Sequence, residues 1–293
     1  MSHYRNLALL AILIYATIYS TIIPLTNDVY SYTTIIQNNS QYPLLFPTLV
    51  KITLLLTPIN ETSIFIATFL LGSVIILVIL PYFLFEFFVA YTKNQKIAFI
   101  GLFAYLFGTG ITNYYYYSNI YSQALATSIL LVMMICLMRK QWIPAVACLI
   151  LIALSHRLII FYALILFFYY LVQLRREVNQ IPAAYCLYKS GEISFSSLCL
   201  IPFFLVVYPI FWIFTLRNVS FKTINDKLFS IAAIIPLFFI FYDFRTLLMS
   251  FTFFSLLIGK EAAKGQKRLA LIIVLCAAFS IFSYFYMHDL IST

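Results

Sequence analysis

Ser155-His156-Arg157 interrupts a run from Trp142 to Val172 in which almost every other residue is apolar. At bilayer depth a guanidinium costs about 2.5–3.5 kcal/mol on insertion scales, so a chain that keeps one there has a use for the charge. Adjacent arginine and histidine suit an anionic ligand such as phosphate. Arginine binds two oxygens at once, and histidine takes or gives a proton near neutral pH. The plainer alternative is an Arg157 that snorkels to an interface or pairs with a carbonyl or carboxylate. Arg245 lies beside Asp243 in a second polar island, Tyr242-Asp243-Phe244-Arg245. It either pairs with that aspartate or completes a diphosphate clamp with Arg157. Asp28, with Tyr30 and Tyr32 on its C-terminal side, is a solvated loop carboxylate, a helix cap, or a general base toward a sugar hydroxyl. Gln123 lies in an apolar segment, where its amide is expected to find an interhelical partner.

These residues sit in a chain of 293 residues that is 64% hydrophobic and 9% charged, with a mean hydropathy of +1.00. Soluble domains carry about 25% charged residues, so the composition predicts an all-α, polytopic membrane protein. About eight to ten transmembrane segments are expected, in a single transmembrane domain over residues 1–293. A β-barrel is excluded by long continuous apolar runs in place of short alternating ones. The net charge of +9 sits mostly in short loops, which points to cytoplasmic anchoring and away from nucleic acid.

Leu7–Ile23 is read as a first span and not as a cleaved leader, since no small-residue cleavage site follows it. A polar outer segment runs from Thr26 to Gln41, and Leu44–Pro58 is short enough for a re-entrant or interfacial piece. Ser63–Val89, Ile97–Thr112 and Tyr121–Met138 follow as spans. By the positive-inside rule Arg5, Lys93, Lys96, Arg139 and Lys140 are cytoplasmic, with the N-terminus. Asp28, Glu61 and the tyrosine run 114–117 are then outer, and the tyrosines are better explained as an interfacial aromatic belt than as a sugar platform. Glu86 falls near the inner end of its span. Trp142–Val172 would be roughly 46 Å long as one helix, against a hydrocarbon core of about 30 Å. It is either a tight hairpin turning at Ser155–Arg157 or a single tilted or broken span. Further spans are expected at Leu198–Leu216, Leu228–Phe241, Thr246–Ile258 and Leu269–Tyr286, with the basic run Lys260–Arg268 cytoplasmic.

Several chemistries find no motif here. The chain has no Walker loop, no glycine-rich dinucleotide turn, no HExxH and no CxxC. His3, His156 and His288 are scattered and do not make a metal site. Cys136, Cys148, Cys186, Cys199 and Cys276 lie in or beside apolar runs and are expected to pack, not to pair or ligate.

The order of motifs resembles a known family. Asp28-Val29-Tyr30-Ser31-Tyr32 fits an outer Asp-x-x-x-Tyr segment just after the first span. Tyr121-Ser122-Gln123-Ala124-Leu125-Ala126 opens a span that ends at the basic turn Arg139-Lys140. Ala153-Leu154-Ser155-His156-Arg157 carries an alanine-to-histidine signature, and Arg245 opens a late span. Together these resemble the EpsG-like branch of the Wzy-type O-antigen and exopolysaccharide polymerases. Members often carry an arginine directly before the glutamine. Ser122 stands there in this chain, and Arg157 supplies a replacement charge.

The resemblance implies a GT-C-like membrane glycosyltransferase of the bacterial inner membrane. Such an enzyme joins undecaprenyl-diphosphate-linked oligosaccharide repeat units at the periplasmic face, with no nucleotide sugar, metal or cofactor. Asp28 or His156 would activate the acceptor hydroxyl. Arg157 and Arg245 would hold the diphosphate, and Gln123, Tyr30 and Tyr32 would contact substrate. Implied partners are the lipid-linked oligosaccharide, membrane lipid and a chain-length regulator, with no nucleic acid. The alternatives are a transporter or flippase of a lipid-linked sugar or small solute, an O-antigen ligase, and a structural membrane subunit. A transporter predicts paired halves with broken helices, and no internal repeat is visible. Ligases carry a long late outer loop, which this sequence lacks. A structural subunit leaves His156-Arg157 without a purpose.

Overall fold

Every buried backbone N–H and C=O needs a partner, and a long apolar run satisfies its own by coiling into a helix. The computed structural model describes residues 3–20, 27–38, 44–55, 60–108, 121–175, 218–238 and 246–278, and all regular structure among them is helical. The elements are α1 (His3–Ser20), α2 (Asn27–Gln37), α3 (Leu45–Thr53), α4 (Glu61–Val74), a π-helical segment (Ile75–Ile79) and α5 (Leu80–Thr92). They continue as α6 (Gln95–Gly108), α7 (Tyr121–Met138), α8 (Trp142–Ser155), α9 (Arg157–Arg175), α10 (Ile224–Phe238) and α11 (Thr246–Ala262), followed by helix α12 over 266–278. Among the described residues, three helices are long and apolar enough to cross a membrane: Glu61–Thr92, Tyr121–Met138 and Arg157–Leu174. The tyrosine run 114–117, Cys186, Cys199, the span expected at Leu198–Leu216, Arg245 and His288 lie outside the described residues.

Several expectations need correcting. The polar stretch taken as an outer loop contains a helix, α2, with Val29, Tyr32, Thr33 and Ile36 buried at helical spacing. Of the two readings of Trp142–Val172, the hairpin gives way to the broken helix. A single extended residue, His156 (φ −157°, ψ 123°), separates α8 from α9. Antiparallel helix pairs are joined by about two to five loop residues, so the triplet is a break. The segment at Leu44–Pro58 is the nine-residue α3, too short to cross, as its length implied. Cys136, Cys148 and Cys276 are free and buried.

The chain divides into two compact units, Met1–Phe87 with Ile111–Phe161, and Phe88–Gly110 with Tyr162–Thr293. In the first, α1 buries Ala8, Ala11, Ile12, Tyr15 and Tyr19 and exposes Leu9, Leu10, Leu13, Ile14 and Ile18. Its bulky aliphatics face outward and its alanines inward, the pattern of helices whose outer solvent is lipid. α8 repeats it, with Ala145, Cys148, Leu149 and Ile152 buried and Ile143, Val146, Ile150 and Leu154 exposed. α7 is buried nearly all round and forms the core of this unit. Pro81 explains the π-helical segment before it. Proline has no N–H to give, and its ring crowds the carbonyl four residues back, so the chain widens to a five-residue bond from Leu80 N to Ile75 O. At the lower end Arg5 Nε donates to Glu86 Oε1 at 3.0 Å, tying the start of α1 to α5.

In the second unit α6 packs on α11 through two glycines. A Cβ on Gly259 would lie 2.7 Å from Gly101 N and 2.8 Å from Ile97 O, so only glycine permits this crossing. α10 contains Pro236, which leaves the carbonyl of Ala232 without its usual i+4 donor. The hydroxyl of Tyr162, fully within this unit, donates to that carbonyl. Tyr162→Phe should therefore strand a buried acceptor and cost about 1–3 kcal/mol. Thermal unfolding in detergent measures it, and an unchanged midpoint would refute the account.

Candidate functional site

Polar side chains in the first unit gather around the first turn of α3, and local packing dictates why. Phe46 of α3 is fully buried between two tyrosines, with ring centroids 4.8 Å from Tyr32 and 5.4 Å from Tyr121. Tyr121 in turn needs the bare face of Gly72, since any Cβ there would strike its ring. Gly72 lies 14 residues before Glu86 along one continuous helix, roughly 20 Å from the Arg5–Glu86 pair at 1.5 Å per residue. These aromatic contacts hold Tyr32 of α2 against the first turn of α7. The Tyr32 hydroxyl donates to Ser122 Oγ at 2.6 Å and accepts from Ser122 N at 3.3 Å.

Gln123, the next residue, is 0% exposed, and neither amide atom has a hydrogen-bond partner among the described residues. The interhelical partner expected for it is not found among them. Tyr32 and Ser122 satisfy each other, and Thr68 Oγ1 is likewise buried with no partner among the described residues. An enclosed amide without partners costs about 1–3 kcal/mol, which marks this as a place where something polar belongs.

The other end of α3's first turn meets the helix break. Leu44 N donates to Leu154 O at 3.1 Å, fixing the start of α3 two residues before His156. His156 N donates to Ile152 O at 2.9 Å and so ends α8, while its carbonyl accepts from Ile160 N at 3.2 Å and begins α9. Ser155 is buried and bonds back to Leu151 O at 2.7 Å; Arg157, the first residue of α9, is exposed. A cation at a helix N-terminus stands against the helix dipole, a placement unfavourable by about 0.3–1 kcal/mol. Arginine, the adjacent backbone N–H groups and the dipole all point the same electrostatic way, toward an anion.

The structure thus brings Tyr32 and Tyr121 onto Phe46 of one short helix, α3. Leu44, just before that helix, bonds to Leu154, two residues before His156 and three before Arg157; Gln123 follows Tyr121 by two residues on α7. Tyr30 sits on the other side of α2, 56% exposed, with its ring 5.2 Å from Phe65. Asp28 is the second residue of α2, on the same helix as Tyr32 and one turn ahead of it. Replacing Tyr32 by phenylalanine would leave Ser122 Oγ buried without its donor. The expected loss is about 1–3 kcal/mol, read as a lower unfolding midpoint, and an unshifted midpoint would show the bond to be dispensable.

Sequence reasoning missed a polar network in the second unit. Tyr91 donates to Asp226 Oδ1 at 2.6 Å, and Lys260 Nζ donates to the Tyr91 hydroxyl at 3.0 Å. The Tyr91 ring stacks on Phe229 at 4.5 Å. Asp226 also accepts from Thr223 N at 3.2 Å, while its own N–H donates to Thr223 Oγ1 at 3.0 Å, a reciprocal cap on α10. Beside it, Glu261 gathers the basic run that follows α11. It accepts from Lys264 at 2.5 Å and Asn218 at 2.9 Å, and pairs with Arg268. These groups brace helix ends, so they are assigned to architecture.

In comparisons with known proteins, no protein-family model, no curated protein and no solved structure matches this chain.

Proposed function

We propose that this chain is an integral membrane polysaccharide polymerase of the bacterial inner membrane, of the kind its motif order resembles. The outward-facing aliphatic stripes on α1 and α8 favour lipid as its surroundings. In the proposed arrangement the N-terminus and the Arg5–Glu86 pair are cytoplasmic, the group around α3 faces the periplasm, and the chain crosses about eight to ten times. The observation that carries the functional reading is the helix break. An extended histidine and an arginine that opens the next helix interrupt an apolar run, and the same unit holds a buried amide with no partner among the described residues. A structural subunit gains nothing from this arrangement, whereas an enzyme that handles a lipid-linked diphosphate does.

The chemistry follows from the groups present. An acceptor sugar hydroxyl attacks the anomeric carbon of the growing chain. The new glycosidic C–O bond forms as the bond to the diphosphate oxygen breaks. The hydroxyl proton passes to His156 or Asp28. Undecaprenyl diphosphate leaves with the bonding electron pair, and Arg157 with the α9 N-terminus stabilises the charge that develops on it. Gln123, whose amide has no partner among the described residues, would orient a sugar hydroxyl.

Deleting the gene in its native host tests this. The expected result is loss of the long polysaccharide ladder, with single repeat units still exported and attached. Accumulation of repeat units on the inner leaflet would instead make the chain a flippase and overturn the polymerase reading.

A further inference from the structure

A concavity lies at the opposite end of α3 from the helix break. It encloses about 500 Å³ and is lined by Ile36 and Gln37 at the end of α2, Lys51, Leu54 and Leu55 at the end of α3, and Asn60, Glu61 and Ile64 at the start of α4. That volume is within the roughly 300–1,000 Å³ of small-molecule sites. Its lining separates ligand classes. One lysine and one glutamate cancel, so the cavity carries no surplus cation for a diphosphate. Two carboxamides and the two charged groups offer several donors and acceptors alongside Ile36, Leu54 and Ile64. Asn60 spends its carboxamide oxygen on Ser63 N at 2.8 Å, which caps α4 and leaves its NH2 as a donor. Hydrogen-bonding groups combined with aliphatic side chains in one lining match the hydroxyl rim and C–H face of a pyranose.

We propose that this cavity is a saccharide subsite, taking the part of the repeat unit remote from the diphosphate. The proposal rests on the polymerase reading for the ligand's origin, but not for its chemistry. Geometry supports the division of labour. Leu44, bonded to the carbonyl of Leu154, and Lys51 are the two ends of one short helix. Seven residues at 1.5 Å each put Leu44, which bonds to the end of α8 just before the break, about 10 Å from Lys51 at the cavity, a span that one lipid-linked oligosaccharide covers.

Gln37, Glu61 and Leu55 are all exposed, Leu55 at 76%, so substitutions there leave the fold intact. The full chain in lipid nanodiscs is titrated with free glucose, galactose, N-acetylglucosamine and rhamnose, read by saturation-transfer NMR, with phosphoethanolamine as the charged control. At least one sugar should show contact. Its affinity should fall about fivefold in Glu61→Gln, the worth of one hydrogen bond, and contact should vanish in Leu55→Trp, which fills the mouth. Contact from none of the sugars, contact that survives Leu55→Trp, or contact from phosphoethanolamine alone overturns the proposal. Failure of the polymerase reading is separately visible. Sugar contact with an unaltered ladder in the deletion strain leaves the subsite standing and removes the polymerase. A lost ladder without sugar contact does the reverse.

Discussion

Arg157→Ala is expected to abolish long-chain polymer when it replaces the wild-type gene at matched protein level. Removing one preorganised donor from a developing oxyanion slows catalysis about 10²–10³-fold. Here the charge lost is a full one, at a helix N-terminus that points the same way. Arg157→Lys should recover only part, because an ammonium keeps the charge but loses the two-pronged geometry that fits a diphosphate. Since Arg157 is exposed, neither substitution should move the unfolding midpoint, and that control separates chemistry from folding. His156→Ala is a different experiment. His156 occupies the extended joint between α8 and α9, so its loss tests the proton acceptor while the break itself persists. The two candidate bases are separable by substitution: if His156 takes the proton, Asp28→Asn should keep the polysaccharide ladder and His156→Ala should lose it. Full ladders in both the Arg157→Ala and His156→Ala strains would end the assignment of this site.

How much of this was readable in the sequence depends on the range of each interaction. The long helices announced themselves, because an unbroken apolar run such as 63–89 has no competing local structure. α2 did not, although its signal was present. Val29, Tyr32, Thr33 and Ile36 recur at i, i+3, i+4 and i+7, but they are embedded among Asn, Asp, Ser and Thr, whose side chains compete for the backbone and lower helix propensity. Tertiary packing against α4 overrides that. His156 and Arg157 were legible as a cost without a visible return, and the structure supplied the break that the cost belongs to. Gln123 was legible as a buried amide, but which groups reach its neighbourhood depends on long-range packing such as Tyr32 meeting Ser122 across 90 residues. Asp226 was half legible. Thr223 and Asp226 have the spacing of a reciprocal helix cap, while Tyr91 comes from 135 residues away and no local pattern foretells it.

That long-range network predicts the largest stability effect outside the site. Asp226→Ala removes the acceptor for the Tyr91 hydroxyl, the cap of α10 and the counter-charge for the partly buried Lys260. Bonds to a charged group contribute about 1.5–3 kcal/mol each, and stranding a buried ion costs more. Partial solvent access at Asp226 discounts both, which leaves an expected loss of about 3 kcal/mol. The same carboxylate should make stability acid-sensitive. Burial alone would raise its pKa. The hydrogen bonds from Tyr91 and Thr223, with the charge of Lys260, more than reverse this and hold it below the ordinary carboxylate value. A group whose folded pKa is depressed contributes fully above its unfolded value, about 3.9 for aspartate, and that contribution is lost as pH falls through the lower folded value. Glu261 behaves likewise, held low first by its hydrogen bond from Lys264 and then by Asn218. Unfolding midpoints of the wild type should therefore drop as pH falls below about 4. The drop should be shallower in Asp226→Ala and shallowest in the double variant with Glu261→Gln. Equal slopes in all three proteins would mean that these carboxylates are solvated in the folded state, and that α5, α10 and α11 are held by their apolar contacts alone.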